Sequence, residues 1–258
     1  MAAALAGAGV RVAISGRSGR RAAETAARLE GEGEREGEGE GEREGEREGE
    51  GERAGAGEGA FGVELDVRDE YSVAAAIGTA WERLGGIDML VNNAGIGMRT
   101  VNPRFMLEPR GFWTVSPDGF RDVIATNLTG YFLVAREITP RMLAAGHGRI
   151  VNISVSESTM TRAGFVPYGP SRAGSEALTR VMAADLRGTG ITVNTLLPGG
   201  PTRTGMAPEE GAANVSWMEA EIMGPPIVWL ASAEAAGANG ERIVAAGFAE
   251  WLDARRSR

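Results

Sequence analysis

DMLVNNAG, residues 88–95, decides how this chain folds. Asp88 to Asn92 is a short β-rich run, and Asn92-Asn93-Ala94-Gly95 stops it with the small and polar residues that make tight turns. Working outward, the same unit recurs. Val10 to Ser15, Phe61 to Leu65, Arg149 to Ser154, Thr192 to Leu197 and Arg242 to Val244 are further β-rich runs, each bounded by Gly, Asn, Asp or Pro. Between them lie helical patterns near residues 18–30, 70–84, 117–145, 168–188 and 226–234, with an irregular segment over 97–116. Alternation of this kind predicts an α/β fold, a doubly wound parallel sheet with helices on both faces, in a single Rossmann-like domain over residues 1–258.

Charge is confined to one segment. Residues 31–59 hold 12 Glu and 4 Arg, so the whole net charge of -8 sits there and the remainder of the chain is neutral. This imperfect Gly-Glu repeat has no apolar residue larger than Ala, which predicts a disordered low-complexity loop inserted in the domain. With no basic surplus left elsewhere, nucleic acid is excluded as a partner. The chain has no Cys, which removes disulfides, thiol nucleophiles and cysteine metal sites and points to the cytoplasm. No apolar run is long enough to span a bilayer, so no membrane partner is expected. All 27 basic residues are Arg. His147, the single histidine, stands in a Gly-His-Gly turn and can build neither a metal site nor a triad.

Four motifs carry chemistry: Asn92-Asn93-Ala94-Gly95 after a strand, Asn127 within a helix, Tyr168 followed four residues later by Arg172, and Pro198-Gly199 after a later strand. Their order and spacing resemble the short-chain dehydrogenase/reductase family, from about residue 3 to about residue 250 outside the Gly-Glu insertion. The resemblance implies an NADP-dependent oxidoreductase that interconverts a carbonyl and an alcohol on a small molecule. It makes Tyr168 the general acid/base. An unperturbed tyrosine titrates near pH 10 and needs a neighbouring cation to work near neutrality, and a basic residue at i+4 lies on the same helix face. The family usually has Lys there. Arg172 keeps the charge but not the compact ammonium geometry. The family's substrate-binding serine stands thirteen residues before the tyrosine, which here is Val155, so Ser154 and Ser156 share the expectation. Asn127 matches the asparagine of the family's proton relay.

For the cofactor, the resemblance implies that Asp66, with Val67 beside it, receives the adenine amino group and that Asn93, Ala94 and Gly95 approach the ribose. Tyr168 and Arg172 also face the cofactor, and Pro198, Gly199, Gly200 and Thr202 hold the nicotinamide amide. Gly16-Arg17-Ser18 ends its strand without the acid that NAD enzymes place there and offers Arg17 and Ser18 to a 2′-phosphate, which favours NADP over NAD. The loop over 97–116, with Met98, Phe105, Met106, Phe112 and Trp113, reads equally as substrate lid or packing filler, and 203–224 is a second lid segment. A homodimer or homotetramer is expected from the family's habit of pairing the helices that contain Asn127 and Tyr168.

The beginning departs from the pattern. Met1 to Gly7 is a helix-like alanine run leading directly into a strand, and Gly7 and Gly9 read as a helix stop. The family's first strand and its glycine-rich phosphate turn are missing, which predicts bare ladder edges on both neighbouring strands and a strand of about 5 to 6 residues lying upstream of Met1. With Val155 and Arg172 as further departures, a catalytically silent relative that serves as a binding or oligomeric subunit is the second expectation.

Overall fold

Side chains along the strands alternate between two apolar layers. On β4 (Gly148–Ile153), Ile150 joins one core cluster with Val63, Ile138 and Met142, while its neighbour Val151 joins the other with Leu5, Ile227 and Ile243. Alternation with both faces buried is what a parallel sheet sandwiched by helices requires. The computed structural model describes residues 1–38, 59–206 and 215–257. Helices α3 (Glu70–Leu84) and α5 (Gly130–Ala145) cover the first face. Helices α1 (Ala2–Gly7), α8 (Gly224–Ala231) and α9 (Phe248–Arg256) cover the second.

The strands are β1 (Val12–Gly16), β2 (Ala60–Glu64), β3 (Met89–Asn92), β4, β5 (Ile191–Leu197) and β6 (Arg242–Val244), all parallel to their partners and close to the runs read from sequence. Local signals set the helix ends. Asp69 caps α3 by accepting from the amides of Tyr71 and Ser72, and Gly85 ends it in the left-handed conformation, φ 74°. Ser116 caps α4 (Pro117–Ile124), with Pro117 in its first turn.

Two expectations change. The helix expected over 117–145 is broken by a π turn at Ala125–Thr129, which carries Asn127. The segment expected to be a loop from Gly31 is helical at its start, where α2 (Gly19–Glu38) runs through the first eight residues of the repeat. Extending an existing helix needs no new nucleus, and Glu and Arg are good helix formers; residues 39–58 lie outside the described residues. Among the described residues the strands form two sheets: β1 pairs only with β2, while β3, β4, β5 and β6 follow in order.

The unpaired edges of β1 and β3 line opposite sides of a cleft of about 950 Å³. Its walls are mostly apolar: Val12 and Ile14 from β1, Leu90 and Val91 from β3, Ile77 and Ile138 from the covering helices, with Met1 and Leu5 also reaching it. All of β1 and most of β3 are accordingly only partly buried or exposed, whereas β5 is buried at six of its seven residues.

Candidate active site

The carboxyl ends of β3, β4 and β5 and the start of α7 (Tyr168–Asp185) converge. Asn92 and Asn93, adjacent in sequence, diverge in role. Asn92 turns inward, its Nδ2 donating to Oδ1 of Asn152 at 2.9 Å, and Asn152 donates in turn to Thr179 at 2.8 Å, a buried polar chain tying β3 and β4 to α7. The backbone after Asn93 is then fixed from the other side. Asn127 Nδ2 donates to the Ile96 carbonyl and its Oδ1 accepts from the Ile96 amide, both at 2.9 Å, while Nδ2 also reaches Ser171 at 3.1 Å. A fully buried amide using both ends on one residue's backbone is a clamp.

Tyr168 is the first residue of α7, half-buried against Met98, Phe105 and Phe165. Arg172, one turn on, is 2% exposed. Its Cζ lies 5.5 Å from the ring centre of Tyr168 and 5.5 Å from that of Tyr131, so the cation sits between two aromatic rings. Burial works against the charge, but the phenols of Tyr131 and Tyr168 outweigh it and raise the Arg172 pKa above an already high value. Burial likewise raises the Tyr131 phenol, with Arg172 partly offsetting the shift. The site therefore holds a permanent positive charge beside Tyr168.

Gly95 makes the close approach possible. A Cβ there would lie 2.4 Å from Nη2 of Arg172 and 3.2 Å from Oδ1 of Asn127. The turn expected to approach a ribose thus owes its glycine to a steric contact rather than to an unusual backbone angle.

The two serines separate. Ser154 follows β4, its amide bonded to the Leu196 carbonyl, and its buried Oγ has no hydrogen-bond partner among the described residues. Ser156 precedes α6 (Glu157–Met160), and its Oγ is shared with the hydroxyls of Ser158 at 3.0 Å and Thr159 at 2.9 Å. The lid question also divides. Met98 and Phe105 are buried packing beneath Tyr168, whereas Phe112 and Trp113 are 68% and 77% exposed.

At the far end of the site, Arg17 and Ser18 stand between β1 and α2, with Ser18 Oγ accepting from the Arg21 amide as a cap. Glu64 at the end of β2, a residue that sequence reading passed over, approaches the Gly19 amide at 3.4 Å. Asp66 is already engaged: Arg68 donates to both its oxygens at 3.0 and 2.7 Å, and this pairing holds its carboxyl down at about 2. Val67 packs against Gly130 at the start of α5. Gly199 adopts φ 101° and faces Val244 and Ala246, while Thr202 donates to the Gly200 carbonyl at 3.1 Å. Part of the second lid segment, residues 207–214, lies outside the described residues. His147 lies on the surface 3.5 Å from Asp88, and no metal-type cluster of acidic or histidine side chains occurs among the described residues.

These positions fit a nicotinamide dinucleotide at its reactive end, where a buried cation, an unspent hydroxyl and a glycine turn meet. A glycine-rich pyrophosphate cradle between a strand and a helix is not found among the described residues.

The short chain dehydrogenase family model matches residues 43–214. The 3-oxoacyl-[acyl-carrier-protein] reductase FabG of Vibrio harveyi is 32% identical over 195 residues, covering 72% of this chain and 76% of the relative. The 2-(R)-hydroxypropyl-CoM dehydrogenase of Xanthobacter autotrophicus is 40% identical over 137 residues, 53% of this chain and 52% of that one. Among solved structures, a gluconate 5-dehydrogenase from Burkholderia cenocepacia, in complex with NADP and tartrate, superimposes with a TM-score of 0.74 at 27% identity, covering 96% of this chain and 89% of its own.

Proposed function

Because the chain belongs to the short-chain dehydrogenase family, we propose that it is an NADP-dependent oxidoreductase that interconverts a carbonyl and an alcohol on a small-molecule substrate. The observation that carries this reading is the permanent Arg172 cation, buried next to Tyr168 at the carboxyl end of the sheet. In reduction, Tyr168 gives its hydroxyl proton to the forming alkoxide; in oxidation it takes the alcohol proton. When bound, the nicotinamide would supply the hydride for reduction as NADPH and would accept it in oxidation as NADP+. Arg172 places a positive charge beside Tyr168, and Asn127 keeps the Ile96 turn from drifting out of the site. Arg17 and Ser18 at the start of α2 supply the charge and hydroxyl for a 2′-phosphate, and Asp66 and Val67 lie on the adenine side. Glu64 near the same helix start works against a second anion there, which makes Arg17 the residue on which NADP preference turns.

Of the two serines, Ser154 is the one with unspent hydrogen-bonding capacity, so it is assigned to the substrate oxygen. Ser154→Ala is expected to lower kcat/KM by about tenfold or more, and Ser156→Ala by less than about twofold, on whichever carbonyl a substrate panel identifies. The reverse ranking would move the role to Ser156, and no turnover on any carbonyl or alcohol by the folded wild-type chain would remove the enzyme reading.

The cleft between β1 and β3 is assigned to one further parallel strand of about 5 to 6 residues. Two parallel edges facing each other across an apolar gap leave backbone groups that such a strand would satisfy on both sides. Its addition would give a seven-stranded sheet. Phe132, Leu143 and Val181 are exposed on α5 and α7 and suit the pairing of these helices in a homodimer or homotetramer. No helix among the described residues is long and apolar enough to cross a membrane, and a reducing cytoplasmic setting suits a chain without Cys.

A further inference from the structure

We propose that Tyr131, which no motif in the sequence singles out, is the positioning residue that holds Arg172 in place for Tyr168. The inference rests on the reading of Tyr168 as acid/base and adds a third member to that pair. Tyr131 is the second residue of α5 and is 1% exposed. Its hydroxyl accepts from Nη1 of Arg172 at 2.7 Å and donates to the Ile153 carbonyl at 3.3 Å; the same carbonyl accepts from Nη1 at 3.0 Å.

A guanidinium is a rigid plane, so fixing one of its nitrogens with two acceptors fixes the directions of the others. Here the two acceptors on Nη1 leave Nη2 against Gly95 and Nε without a partner among the described residues. The Tyr168 hydroxyl also interacts with Arg172, and on the opposite side the cation is held from behind, by Tyr131 and the end of β4. Tyr131 also makes the site suit an arginine. A lysine ammonium is a point donor whose orientation carries no such plane, and it would draw less on a second acceptor at this place.

The chain has three tyrosines, and Tyr71 is 89% exposed, so carbon-13 labelling at Cζ yields one internal reference and two reporters. Tyr131→Phe keeps the ring and its packing. In this variant the Tyr168 signal is expected to move while that of Tyr71 stays, and kcat is expected to fall about tenfold with KM nearly unchanged. In the Arg172→Lys background, the same Tyr131→Phe change is expected to cost less than about twofold, the non-additivity of residues that act as a unit. An unmoved Tyr168 signal, or an equal Tyr131→Phe effect in the Arg172 and Lys backgrounds, would overturn the proposal. Should Tyr131→Phe fail to fold, Arg172→Lys read through the Tyr131 signal serves instead: a shift supports the clamp and no shift overturns it. Full activity in Tyr168→Phe would defeat the acid/base reading alone, since the spectroscopic response does not depend on turnover.

Discussion

Tyr168→Phe is expected to lower kcat by about 10²- to 10⁴-fold in both reaction directions, the range in which a positioned acid/base contributes. The change removes one oxygen and leaves the ring, and the ring is what packs against Met98, Phe105 and Phe165. Stability should therefore stay within about 0.5 kcal/mol of wild type, as for substitutions that leave packing intact. NADPH affinity should change little, because Arg172 remains held by Tyr131 and Ile153. The loss should fall on kcat, the signature of an interaction made only in the transition state. Single-turnover kinetics with thermal melting as the control would check this, and a variant that retains turnover would show that the proton comes from elsewhere.

Gly95→Ala is the second large effect, and it acts through crowding. The added methyl would stand 2.4 Å from Nη2 of Arg172, and Arg172 has little room to yield because Nη1 is held by two acceptors. Either the turn moves away from Asn127, breaking a double hydrogen bond to Ile96, or the guanidinium leaves its place between the two tyrosines. Overpacking of this kind costs about 1 to 3 kcal/mol. Activity should fall further than stability accounts for, because both outcomes disturb the cation beside Tyr168. Denaturant unfolding together with kcat/KM would check it; wild-type activity with an unchanged unfolding midpoint would mean that the turn tolerates bulk and that Gly95 is not what sets the approach.

Much of this was legible before any coordinates. Strand positions followed from short β-rich runs bounded by turn residues, and the DMLVNNAG stretch marked both a strand and the turn at the site. The helical pattern near 70–84 became α3, which the structure shows capped by Asp69 and Gly85. What escaped depended on context that sequence does not carry. The π turn around Asn127 is a local widening inside an otherwise regular helical pattern. Helix α2 reached into the Gly-Glu repeat because an established helix propagates where a new one would not start. The two serines were indistinguishable by spacing, since only the surrounding hydroxyls show that Ser156 is engaged and Ser154 is not. Tyr131 gave no signal at all, because an aromatic residue in a helix reads as core until its hydroxyl is seen against Arg172. The engagement of Asp66 by Arg68, two residues away, is a local contact that sequence alone could have suggested.

A fluorescence titration of the chain with NADPH and then NADH, repeated on Arg17→Ala, tests whether this fold holds NADP through the residues named above. Saturable binding of NADPH, weaker binding of NADH, and loss of the difference in the variant are expected. A folded chain that binds neither cofactor saturably, or binds both equally with Arg17→Ala unchanged, would contradict the NADP reading.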